Sequence, residues 1–212
     1  MDWTYSICGF VVGAIVGLTG MGGGSLMTAL LILFFGIHPV SAVGTDLLYA
    51  AVTKSVGTLV HSKLGHIDWR IVRRLACGSM PTTLLTIYGL SLAPRQSPLL
   101  DTIISLTIGL ALLLGAVSLL LRDRIRRFAQ SRVERVGQSR YLGPLTVAVG
   151  GLLGVLVSLS SVGAGAIGVV FLIFLHPDMP AKQIVGSDIA HAVPLTLLAG
   201  VLLLIGSRLI IG

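Results

Sequence analysis

Charge is scarce in this sequence. Only 11% of its 212 residues are Asp, Glu, Lys or Arg, against about 25% in ordinary soluble domains. With 54% hydrophobic residues and a mean hydropathy of +0.97, too few polar groups remain to cover a water-facing surface, so a soluble protein is excluded. Cysteine is nearly absent. Cys8 and Cys77 sit apart in apolar stretches with no CxxC spacing, which argues against redox or metal chemistry and reads them as packing residues. A basic N-terminal segment is also lacking, and the first apolar stretch outruns a signal-peptide core, so no cleaved leader is expected. The acids and histidines show no metal-ligand spacing, and no nucleophile lies beside a base. Neither a metal, a cofactor nor enzyme activity is therefore expected.

What the chain does have is long apolar runs and 27 glycines, a combination common in transmembrane helices and in transporters with discontinuous helices. The runs are 9–36, 40–61, 71–92, 99–121, 142–175 and 182–212. They predict an all-α polytopic membrane protein of about six spans. The first run is interrupted at Gly20-Met21-Gly22-Gly23-Gly24-Ser25 and the fifth at Ser160-Ser161-Val162-Gly163-Ala164-Gly165. Glycine costs roughly 1 kcal/mol relative to alanine in a helix interior, so each run reads as two half-helices meeting at a break.

The net charge of +7 is concentrated in two segments. Lys63, Arg70, Arg73 and Arg74 form one, and seven arginines between Arg122 and Arg140 form the other. Basic loops remain cytoplasmic, and two apolar runs separate these segments, which returns the chain to the same side. Loops 62–70 and 122–141 are thus expected in the cytoplasm of an inner (plasma) membrane protein, as orientation signals touching anionic lipid rather than as a nucleic-acid site.

The sequence also repeats itself. Gly13, Gly17, Gly20, Gly22 and Gly24 match Gly154, Ser158, Ser161, Gly163 and Gly165 at a constant offset of 141. His38-Pro39 and His176-Pro177 follow the two breaks. Then come Gly44-Thr45-Asp46 and Gly186-Ser187-Asp188, at an offset of 142. The expected organisation is a first repeat over 1–121 with about four spans, a basic linker over 122–141, and a shortened second repeat over 142–212 with about two. An even number of crossings per complete repeat predicts parallel copies. Pairing Gly109 with Gly200 makes the second copy 51 residues shorter, through an internal loss or a C-terminal truncation.

The run from Gly17 to Ser25, the Pro39–Thr45 turn and Gly65-His66-Ile67-Asp68-Trp69 resemble the sulfite exporter (TauE/SafE) family. The resemblance covers the first half and, more weakly, the second. It implies a transporter of sulfite, organosulfonates or related sulfur-containing anions.

The candidate site follows from the breaks. A half-helix that starts near Gly24 offers unpaired amides and the positive end of its dipole. Gly22, Gly23, Gly24 and Ser25, with Gly163 and Gly165 in the other half, suit an oxyanion. Close helix packing is the competing reading of the same glycines. Thr45 and Ser187 join the candidate binding residues beside the matched aspartates. Lys54 lies eight residues after Asp46, on the same helix face within about 80°. A charge at that depth lines a cavity or pairs, or else snorkels to the nearby interface. Asp46 and Asp188 are candidates for proton or cation coupling, or for capping. His191 follows Asp188 by one helical turn as a potential relay. His38 and His176 are placed near the external ends.

Three readings follow: a secondary transporter of small sulfur anions, a cation carrier using Asp46 and Asp188, and a non-transporting accessory subunit. The expected partners are a small anionic substrate, the lipid bilayer and, given the incomplete second repeat, a further copy in a homo-oligomer.

Overall fold

The computed structural model describes residues 9–11, 24–92, 98–121, 124–125, 127, 142–163 and 165–208. These are helical almost throughout, with no strand among them, as the apolar runs predicted. Seven helices follow in order: α1 (Gly24–Leu33), α2 (Pro39–Lys63), α3 (Trp69–Leu92), α4 (Pro98–Leu120), α5 (Leu142–Ser160), α6 (Ala166–Leu175) and α7 (Ala181–Arg208). Three of them, α3, α5 and α7, are long and apolar enough to cross a membrane. With 25 residues, α2 is also long enough, at about 1.5 Å per residue, but its buried polar residues lower its hydropathy. The half-helices α1 and α6 have 10 residues each, too few to cross alone.

Local chemistry sets the element ends. Pro39 begins α2 with its φ preset. At the other end of α2, Gly65 takes a φ of +68°, which closes the helix where a side chain would be strained. Three residues on, the Asp68 carboxylate accepts from the amides of Arg70 (2.8 Å) and Ile71 (3.4 Å) and caps α3. The Gly65–Trp69 motif is thus the hairpin between two spans. Inside α3 and α7, Pro81 and Pro194 each remove one backbone donor, a loss that membrane helices tolerate when neighbours satisfy the freed carbonyl.

The directions of the helices correct one expectation. Ser79 and Gly78 of α3 meet Gly154 and Gly151 of α5, and Leu75 meets Gly150, so α3 and α5 run parallel. Ser187 of α7 meets Asp68, and His191 meets Ser79 further along, so α7 is parallel to α3 as well. Against α2, however, α7 is antiparallel: Gly200 meets Leu48, Gly57 meets Ile189, and Gly186 meets His61. The helices that carry the two matched Gly-x-Asp tripeptides therefore cross in opposite directions, and the copies are inverted rather than parallel.

The physical reason is that the glycine-broken segment doubles back. Thr146, near the start of α5, lies 3.3 Å from the His176 ring at the end of α6. The pair returns to the side it entered from and adds no net crossing. Among the described residues only α2, α3 and α4 separate the copies, and an odd number inverts the second. His176 likewise sits beside Arg74 and Asp68, at the basic-loop side rather than the external end. Gly200 lies within the unbroken α7, the counterpart of α2, so its pairing with Gly109 of α4 fails.

Two apolar layers result. Val43, Leu47, Ile87, Ile104, Leu195 and Leu203 fill one half of the bundle. Ile71, Leu75, Leu153, Leu172 and Ile184 fill the half nearer the Asp68 loop. Along α3 and α7 a polar band separates the two layers, with Ser79, Asp188 and His191 all at 0% exposure. Cys77, expected to pack, is instead exposed on the outer face of α3, where lipid is its natural neighbour. Cys8 lies outside the described residues.

Candidate functional site

Burying charge in the middle of a bilayer is expensive, so such groups mark pathways or partners. The polar band contains three of them. Asp46 and Asp188 are fully buried, and Lys54 is 8% exposed. Lys54 does not snorkel. It lies within electrostatic range of both aspartates, so one helix from each copy supplies an acid to a single shared lysine. With all three ionised, the cluster carries one net negative charge.

The surroundings of the two acids match in kind. The Thr28 hydroxyl, from α1, donates to Oδ2 of Asp46. The Ser161 hydroxyl borders the same carboxyl but completes no hydrogen bond among the described residues. Ser161 is held at a φ of +58°, a conformation that costs energy in a residue with a Cβ. Asp188 faces the first turn of α6: the Gly165 amide points toward it, and Gly168 lies so close that any Cβ there would overlap Oδ1. Neither Asp188 oxygen nor Oδ1 of Asp46 completes a hydrogen bond among the described residues. The break between α5 and α6 is shaped by Gly163 and Gly165, both at φ +130°, where side chains are disfavoured.

His191 turns away from the relay that its spacing from Asp188 suggested. Its Nε2 lies 2.9 Å from the Ser79 hydroxyl of α3, and Nδ1 has no hydrogen-bond partner among the described residues. Lys54 acts on it electrostatically, so it borders the cluster without bridging the acids.

Of the residues singled out in the sequence, Asp46, Lys54, Asp188, His191, Gly163 and Gly165 converge. Thr45 does not: it is exposed on α2, and its hydroxyl donates to the Ser41 carbonyl at 2.9 Å. Neither does Ser187, whose hydroxyl accepts from the Asp68 amide at 2.9 Å and clasps the α2–α3 hairpin onto α7. Both are displaced from the cluster because neighbours of an aspartate on a helix point about 100° away from it. Gly24 and Ser25 begin α1, while Gly22 and Gly23 lie outside the described residues.

Nothing in the sequence marks Thr28, Ser79 or Gly168 as site residues, since each is an isolated small residue in an apolar helix. Ser161 is visible there only as the counterpart of Gly20. Among the described residues, no cluster of His, Cys, Asp or Glu has the geometry to hold a metal ion.

The profile of the sulfite exporter TauE/SafE family matches residues 5–211. The chain belongs to this family. It is 39% identical over 202 residues to the probable membrane transporter protein YjnA of Bacillus subtilis (strain 168), covering 95% of this chain and 79% of that one. A shorter match, 37% identical over 70 residues, is to the probable membrane transporter protein YunE of the same organism, covering 33% and 26% of the two chains. No solved structure matches. This TauE/SafE protein is therefore a membrane transporter.

Proposed function

We propose that this TauE/SafE protein is a secondary transporter of small sulfur-containing anions such as sulfite or an organosulfonate. The observation that carries the reading is a buried lysine, Lys54, within electrostatic range of an acid from each half. Lys54 supplies the compensating positive charge at mid-membrane, and the glycine break at 163–165 leaves room for an oxyanion to approach backbone amides. Asp46 and Asp188 serve the coupling step. The repeats divide at the basic linker, as 1–121 and 142–212, and loops 62–70 and 122–141 face the cytoplasm of the inner membrane by the positive-inside rule.

The test is uptake of labelled sulfite, thiosulfate and a sulfonate into proteoliposomes, with and without a pH gradient. Saturable flux that Lys54→Ala lowers at least tenfold is the expected result. Protein shown to be folded that moves none of the three would refute the anion reading.

One observation favours a second reading. The oxygens of Asp46 and Asp188 that complete no hydrogen bond among the described residues would also suit a cation. A cation carrier would depend on both aspartates, show no anion flux, and tolerate Lys54→Met.

A further inference from the structure

Asp188 stands where the anion of the proposed transport cycle would bind. The first turn of α6 combines the features of an oxyanion seat: a glycine-shaped approach, a free helix start and exclusion of water. In this structure the seat is filled by the protein's own carboxylate. Asp188, fully buried, points at the Gly165 amide and presses against Gly168, where no Cβ fits. Both carboxylate oxygens lack a hydrogen-bond partner among the described residues. Asp188 is seated there by charge and shape, with its carboxylate directed at the start of α6.

We infer that Asp188 is a tethered anion, holding the α6 seat in the empty carrier and giving it up when the substrate oxyanion binds. The inference rests on the anion-transport reading and adds its loading step. Two anions cannot share one helix start, so the substrate enters as the carboxylate swings toward Lys54, whose charge already acts on Asp188. Charged groups from the packed elements are Asp46 and Lys54 on α2, with His191 on α7 itself and Ser79 from α3 as polar neighbours. Lys54 is the cation among them that can receive the displaced carboxylate. The inverted copy has the same design, with Asp46 held by Thr28 of α1. The Thr28 bond holds that acid more firmly, so Asp188 is the one that moves.

The test uses the full chain in lipid nanodiscs and reads amide hydrogen exchange over residues 165–172, alongside the uptake assay. Asp188→Asn keeps the shape and removes the charge. Gly168→Ala keeps the charge and pushes the carboxylate off its seat; the atom it displaces is the end of a side chain, so the fold can absorb the change. Both variants should exchange about fivefold faster at the start of α6, as loss of a negative charge from a helix start predicts. Sulfite, added as the probe anion, should restore wild-type protection in Asp188→Asn at concentrations that leave wild-type exchange unchanged.

Unchanged exchange in both variants would show that the carboxylate does not occupy the seat, and would overturn the inference while leaving the anion reading intact. Faster exchange that sulfite fails to restore, in a protein whose wild type transports sulfite, would make Asp188 a helix cap alone. Absence of anion uptake by the wild type would instead remove the reading on which the inference rests.

Discussion

The contact between α3 and α5 is built backbone against backbone, which gives a sharp prediction for Gly78→Ala. A methyl at residue 78 would overlap the Val147 carbonyl oxygen and come within 2.7 Å of the Gly151 nitrogen and 2.9 Å of the Val147 carbonyl carbon. All three atoms belong to the main chain, so no rotamer change relieves the overlap and α5 must retreat, by about 1 Å. A gap of that size forfeits about a quarter to half of each dispersion contact, and each contact is worth roughly 0.1–0.2 kcal/mol. If about 40 atom pairs across the crossing are affected, the loss is about 2 kcal/mol. This agrees with the cost of overpacking a filled core and corresponds to about a 30-fold change in the folded-to-unfolded ratio. Gly89, on the same helix, has no neighbour within 4 Å of the equivalent position. Gly89→Ala should therefore be neutral or slightly stabilising, because alanine favours the helix. Equilibrium unfolding in mixed SDS micelles measures both. If Gly78→Ala unfolds at the same SDS fraction as Gly89→Ala, the close approach of α3 and α5 is wrong.

The inverted arrangement predicts labelling sidedness. In a background with Cys8 and Cys77 replaced by serine, Lys63→Cys and Asp178→Cys should react with an impermeant maleimide from one side, and His38→Cys only from the other; parallel copies would place 38 and 178 together. Ser187→Ala removes the acceptor for the Asp68 amide and should cost about 1 kcal/mol in thermal stability, while affecting anion affinity far less than transport rate. Asp68→Ala loses the cap of α3 and should cost about 1 kcal/mol; a melting temperature equal to wild type would contradict that role. Lys54→Arg should retain partial flux and Lys54→Met should lose it, if the charge rather than the chain length is what the site requires.

Much of the protein is legible in its residues alone. Apolar runs and sparse charge dictate a helical membrane protein, since backbone groups in hydrocarbon must be satisfied within each segment. Glycine breaks and the matched Gly-x-Asp tripeptides show two related halves, and the depth of Lys54 between flanking apolar residues marks it as costly and therefore purposeful. The eight-residue spacing places Lys54 on the face of Asp46. Asp188 is found by symmetry alone.

The sign of that symmetry is not written in the composition. Whether the broken run 142–175 crosses the membrane or doubles back depends on whether its second half packs against the far or the near end of the first, and composition is the same in both cases. The packing of α6 against Ile71, Leu75 and Ile184 decided for the return, and with it the inversion. Tertiary structure likewise separated residues that adjacency in sequence had grouped: Thr45 and Ser187 turn away because helix periodicity rotates each neighbour off the site. It brought in Thr28, Ser79 and Gly168, whose importance comes only from what the fold sets against them. The sequence thus determined which residues must be buried and at what depth, because transfer energies act residue by residue. Which acid meets which helix end was decided by long-range contacts between segments over a hundred residues apart in the chain, such as Ser79 with His191.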